Sequence, residues 1–107
     1  MPTGINPGDN ATATSTAGAA TVNHTGGIIT TESLTTAAGA DYSFTLTNSL
    51  LDAKSVLLIS IANGTNTTVP VYAHNINPTY GSATFLVRNA HASAALNGTL
   101  VISFVVL

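Results

Sequence analysis

Apolar and polar residues alternate with a period of two over much of this chain. The clearest run is residues 41–47, where Tyr42, Phe44 and Leu46 interleave with Ser43, Thr45 and Thr47. Such alternation marks a strand with one face in a core and the other in water. Residues 83–88 repeat it, with Ala83, Phe85 and Val87 on one side and Thr84, Leu86 and Arg88 on the other. Residues 28–33 form a short Thr-flanked run, and residues 69–76 another, with Pro70 near its start. Proline has no N–H for a ladder, so that strand belongs at a sheet edge or carries a bulge.

Two runs are apolar on both faces. In residues 55–62, Leu57, Ile59 and Ile61 oppose Val56 and Leu58; in residues 100–107, Val101, Ser103 and Val105 oppose Ile102, Phe104 and Val106. A strand of a two-layer sandwich has only one inner face. The second apolar face therefore needs a cover, which an arm, a helix or another subunit can supply, because left bare it invites aggregation. Oligomerisation is the economical answer.

Turn chemistry separates the runs. Ala37-Ala38-Gly39-Ala40, the loop from Asn63-Gly64-Thr65, and Asn77-Pro78-Thr79-Tyr80-Gly81 all read as turns, and the Asn-Gly-Thr triplets at 63 and 97 as turn chemistry. Residues 90–96 are Ala-rich and read as one helical turn ended by Asn97-Gly98. About six strands with turns at nearly regular intervals predict an all-β fold for residues 26–107, a compact antiparallel β-sandwich or jelly-roll-like barrel. Residues 1–25 differ: Met1, Ile5 and Val22 are their only large apolar residues. So little burial does not offset the entropy of ordering, so this segment is expected to be an extended or disordered arm. Fully extended it reaches on the order of 80 Å, enough to dock on a neighbouring subunit.

Composition narrows the function classes. The 107 residues suffice for one domain, and only six are charged, 6% of the chain, against about 25% in a typical soluble domain. With a net charge of −2, and with Lys54 and Arg88 as the only basic residues, neither nucleic acid nor an anionic membrane is an expected partner. The longest apolar run, residues 100–107, is far short of the roughly 20 residues of a bilayer span. The stretch from Met1 to Asp9 has neither the positive nor the apolar region of a secretory signal, so none is expected. Without cysteine there is no disulfide, thiolate metal site or cysteine nucleophile.

Candidate chemistry is sparse. His24, His74 and His91 lack a paired spacing, so no metal site is expected; the one exception is a single His per subunit meeting on a three-fold axis. Of the acids Asp9, Glu32, Asp41 and Asp52, only Glu32 and Asp41 flank a common turn. Glycosidase chemistry needs two such carboxyls held about 5–10 Å apart. With no Trp platform and little basic support, these acids read as caps and turn residues. No Gly-x-Ser-x-Gly occurs, and Gly26-Gly27 precedes a strand without a following Lys. No catalytic residue, cofactor or metal is assigned, and the protein is not expected to be an enzyme. The Asn-x-Ser/Thr triplets at Asn10, Asn23, Asn63, Asn66 and Asn97 read as composition, and the Thr-x-Thr pairs Thr12–Thr14 and Thr45–Thr47 do not recur as an ice-binding array does.

Three stretches carry a resemblance: Gly27-Ile28-Ile29-Thr30-Thr31-Glu32-Ser33-Leu34-Thr35-Thr36-Ala37-Ala38-Gly39-Ala40, the loop Ala62-Asn63-Gly64-Thr65-Asn66-Thr67, and His91-Ala92-Ser93-Ala94-Ala95-Leu96-Asn97-Gly98-Thr99-Leu100 before the terminal strand. In pattern, residues 26–107 resemble small capsid decoration (cement) proteins of tailed bacteriophages. The resemblance implies a β domain, typically trimeric, on the outer capsid surface of a virion, stabilising contacts between major capsid protein subunits, with the N-terminal arm docking on a neighbour. The partners it implies are further copies of the chain and the major capsid protein. The alternative is a host-glycan-recognition module of a head or tail fibre, with Tyr42, Tyr72 and Tyr80 as contacts.

Overall fold

The computed structural model describes residues 11–107, which form eight strands and no helix. The alternating runs set the frame. β4 (Asp41–Thr47) pairs antiparallel with β7 (Ser82–Asn89) along its whole length, with Phe44 opposite Phe85. β6 (Val71–Thr79) folds back on β7 through Tyr80-Gly81, where Gly81 supplies a φ of +82°. β6 lies at the sheet edge and has a bulge between His74 and Asn77, the position that Pro70 predicts.

The two strands apolar on both sides sit together in the other sheet. β8 (Leu100–Val106) is central, flanked antiparallel by β3 (Gly26–Thr30) and β5 (Leu57–Asn63). Two short strands complete the sheets. β1 (Ala11–Thr14) runs parallel to β3, and β2 (Ala19–Thr21) runs parallel to β4. The first sheet has the order β1-β3-β8-β5 and the second β2-β4-β7-β6.

One core fills the space between the sheets. The first contributes Ile29, Leu57, Leu100, Ile102 and Phe104, and the second Phe44, Leu46, Ala83, Phe85 and Val87, all buried. Phe44 stacks on Phe85 with ring centroids 5.1 Å apart, an arrangement that adds to simple area burial.

Several expectations are corrected. The fold is all-β, but its sheets are mixed and hold eight strands, where about six antiparallel ones were expected. The expected arm of residues 1–25 contains the two missing strands from residue 11 on; its remainder, with Asp9 and Asn10, lies outside the described residues. These strands need little apolar surface because they are short and their Ala side chains fill shallow positions against the core, while Val22 is a full core member. The helical turn read over residues 90–96 is irregular chain, because Asn89 caps it from within: its Nδ2 donates to the carbonyls of Thr36 and Ala94, and its Oδ1 accepts the His91 N–H. The turn read from Asn77 starts later, since Asn77, Pro78 and Thr79 remain paired in β6.

Candidate functional site

The two outer faces of the sandwich differ in chemistry. On the first sheet, cross-strand partners share a face, which sets Leu58 beside Val105, Ser60 beside Ser103 and Ile28, and Ala62 beside Val101. The ladder continues to Leu107, whose N–H donates to the Val56 carbonyl at 2.9 Å. Val56, Leu58 and Leu107 are more than half exposed, Leu58 at 53%. Leu58, Ser60, Ser103 and Val105 edge a shallow groove of about 190 Å³, with Ile59 and Phe104 beneath it. No described residue packs over this face of β5, so among the described residues the second apolar side expected from the sequence has no cover.

The outer face of the second sheet is polar. Its rows run Thr21, Thr47, Ser82 and Thr79, then Thr45, Thr84 and Asn77, then Ser43, Leu86 and His74, and finally Asp41, Arg88 and Tyr72. At the last two rows Asp41 links three strands. Its Oδ1 lies 3.0 Å from Nε2 of His74 on β6, and its Oδ2 accepts from Nη1 of Arg88 on β7 at 3.4 Å. The His74 hydrogen bond, ahead of the Arg88 charge, holds the Asp41 carboxyl below its ordinary value of 3.8, against some desolvation. Tyr72 stands next to His74, with ring centroids 5.7 Å apart and planes tilted by 54°. This Asp–His–Arg–Tyr cluster was missed from the sequence. Its signal was present: Asp41 opens one alternating strand and Arg88 closes another, so antiparallel pairing in that register brings them together.

Glu32 organises a second polar cluster inside the sandwich end. Its carboxylate accepts from the Ser15 hydroxyl, from the Gly18 N–H at 2.8 Å and from the Tyr42 hydroxyl at 2.9 Å. It thereby ties the β1–β2 turn to β4. Burial alone would raise the Glu32 pKa, but the bonds from Ser15, its own backbone, Tyr42 and Gly18 together hold it below the ordinary 4.5. Burial, with the neighbouring Glu32 carboxylate adding to it and Ser15 opposing, pushes Tyr42 up to about 12. A carboxyl whose folded pKa is depressed stabilises the fold fully above its unfolded value, and that contribution is lost as pH falls through the folded one. Acid unfolding of the wild type is therefore expected to steepen below pH 4.5. Glu32→Gln should flatten that limb and cost about 1–3 kcal/mol at neutral pH, read from urea midpoints at pH 7 and pH 3.5. An unchanged acid limb in the variant would remove Glu32 from this role.

The two Asn-Gly-Thr triplets join each other. Thr65 and Thr99 each donate a backbone N–H to the other's hydroxyl, both at 2.9 Å, and Gly64 and Asn66 donate to the Thr99 carbonyl at 2.9 and 3.1 Å. Asn66 is buried: its Nδ2 donates to Asn63 Oδ1 and to the Thr68 carbonyl, and its Oδ1 accepts the Asn97 N–H. Asn97 in turn accepts from the Thr67 N–H and donates to the Thr67 hydroxyl, both at 2.8 Å. Asn23 Oδ1 accepts the Ser49 N–H. The amides of the Asn-x-Ser/Thr triplets from residue 23 onward thus fasten loops.

The other singled-out residues are scattered. His24 sits in a loop, and its carbonyl accepts from Asn48 Nδ2. His91 Nδ1 accepts the N–H groups of Ser93 and Ala94 at 3.0 and 2.8 Å, which places any ring proton on Nε2. Among the described residues no three His, Asp or Glu side chains converge as a metal site. Glu32 and Asp41 do not form a carboxyl pair. The inward-facing Tyr42 holds Glu32, while Asp41, one residue earlier in the strand, points to the opposite face. Asp52 has the expected turn role, accepting from the Lys54 N–H at 2.8 Å. The three tyrosines part company: Tyr42 is committed to Glu32, Tyr80 stands 91% exposed at the hairpin tip, and Tyr72 lies on the polar face. Comparison with protein-family models, curated proteins and solved structures finds no match to the chain.

Proposed function

We propose that the protein is a structural component of a virion. In this reading it binds the outside of a phage capsid as a homotrimer and stabilises contacts between major capsid subunits. The observation that carries the reading is the bare apolar face of the first sheet, from Val56 and Leu58 to Val105 and Leu107. A small domain with six charges in 107 residues has little electrostatic means of keeping copies apart. Such a face on such a domain favours assembly over solitary life. The resemblance of residues 26–107 to decoration proteins supplies the setting. Residues 11–21 pair on one side with β3 and β4 of their own chain, and among the described residues β1 and β2 each keep one ladder edge free for a neighbour.

Native mass spectrometry of the full chain is expected to give three copies, and the protein should co-sediment with expanded capsid shells with little loss at moderate salt. Leu58→Glu is expected to abolish both. The fold should survive it, with the melting temperature changed by only a few degrees, because Leu58 is half exposed. A monomeric wild type that ignores shells, or an unimpaired Leu58→Glu, would defeat the proposal.

A further inference from the structure

We propose that the outer face of the second sheet carries a saccharide-binding site, formed by Tyr72, His74, Asp41 and Arg88, which takes a neutral hexopyranoside. The site is independent of the assembly reading, since the two use opposite faces of the sandwich.

Charge placement is the first argument. The chain has two basic and four acidic residues, and one of each meets here as the only guanidinium–carboxylate pair among the described residues. The pair lies on a face otherwise lined by hydroxyls, where nothing in the core requires it. Beside it stands a large aromatic ring that the core does not use: Tyr72 is 49% exposed and directly opposite Arg88 across the β6–β7 ladder.

Hydrogen-bond capacity is the second. Each Asp41 oxygen accepts one bond within the cluster and retains room for another, while Arg88 has spent one of its five donors. His74 faces Asp41 with Nε2, which leaves Nδ1 for a ligand. Adjacent acceptors and donors on a fixed frame are what a vicinal diol needs, because each sugar hydroxyl both donates and accepts. The C–H face of a pyranose packs on an aromatic ring beside such groups, as Tyr72 offers. Neutral sugars are favoured because Asp41 balances Arg88 and repels a sugar carboxylate. The surrounding rows carry the short side chains of Ser43, Thr45 and Thr84, so an oligosaccharide lying flat fits better than a buried monosaccharide.

Cross-strand fastening by Asp41 alone would explain the ion pair but gives Tyr72 no part, and the test exploits that difference. The ¹⁵N-labelled full chain is titrated with the methyl pyranosides of glucose, mannose and galactose, a neutral tetrasaccharide of each, and a sialyl and a glucuronyl oligosaccharide. At least one neutral series should shift amides centred on residues 41–43, 72–74 and 86–88, with the tetrasaccharide the tighter ligand. Tyr72→Ala should weaken that binding by about three- to tenfold or more while leaving the melting temperature within a few degrees. Asp41→Asn should weaken it too. Absence of shifts with every neutral sugar, shifts centred elsewhere, affinity unaffected by Tyr72→Ala, or binding confined to the acidic sugars would each overturn the proposal.

Discussion

Removing residues 1–25 is expected to unfold the protein instead of yielding a soluble, arm-less domain. From residue 11 the segment supplies an edge strand to each sheet, so its loss uncovers the ladder edges of β3 and β4, which then invite aggregation. Val22, 4% exposed, leaves the core, a loss of about 1.5–3 kcal/mol by area. Glu32 loses the Ser15 hydroxyl and the Gly18 N–H, and β8 loses the bond from the Val106 N–H to the Thr25 carbonyl at 2.7 Å. Each buried polar group left without its partner costs about 1–3 kcal/mol. Together these approach the whole stability of a domain this size, about 5–15 kcal/mol. A chain beginning at residue 26 should therefore give a collapsed amide spectrum and no cooperative thermal transition. A dispersed spectrum with a sharp transition would show that the first two strands are accessories.

The same segment marks the limit of what the sequence discloses. Strands with bulky alternation are legible because each apolar side chain gains more than the ordering of its residue costs: β4 spans the very residues 41–47, and β8 lies within 100–107. In β1 the same period is written in Ala and Thr, with Ala11 and Ala13 turned inward and Thr12 and Thr14 outward. Such small side chains bury little, so composition reads as disorder. Pairing to an existing sheet, which no local window contains, is what stabilises them. Tertiary pairing also explains the residues missed on the polar face. Asp41, His74 and Arg88 are separated by 33 and 14 positions along the chain, and only the β4-β7-β6 order brings them together. Conversely, the two-sided apolar strands were readable because they break the alternation, and both fall in the sheet whose outer face has no cover among the described residues.

Gly98→Ala is expected to be among the costliest single substitutions, at about 3 kcal/mol or more, although it adds only a methyl group in a loop. A Cβ at Gly98 would press on the Thr65 hydroxyl oxygen and come within 2.7 Å of the Asn66 nitrogen and 2.8 Å of the Thr65 carbonyl carbon. Two of these are main chain, which cannot swing away as a side-chain tip does, so the triplets must part. Overpacking of this kind costs about 1–3 kcal/mol. The separation also endangers the bonds from Asn66 N–H to the Thr99 carbonyl and from Asn97 N–H to Asn66 Oδ1, with the buried Asn66 amide left short of partners. Gly64 stands in the mirrored position: a Cβ there would press on the Thr99 hydroxyl and lie 3.0 Å from the Thr99 carbonyl oxygen. Both substitutions push on one Thr65–Thr99 pair, so once either has opened it the other has less to break. The double variant should then be less destabilised than the two single costs added, by roughly 0.5–3 kcal/mol in a double-mutant cycle. Urea midpoints for the four proteins measure this directly. Strict additivity would mean that the two triplets act as separate turns, as their sequence alone reads; a Gly98→Ala melting temperature within a few degrees of wild type, where about 15 °C of loss is expected, would mean the loops absorb the methyl without opening.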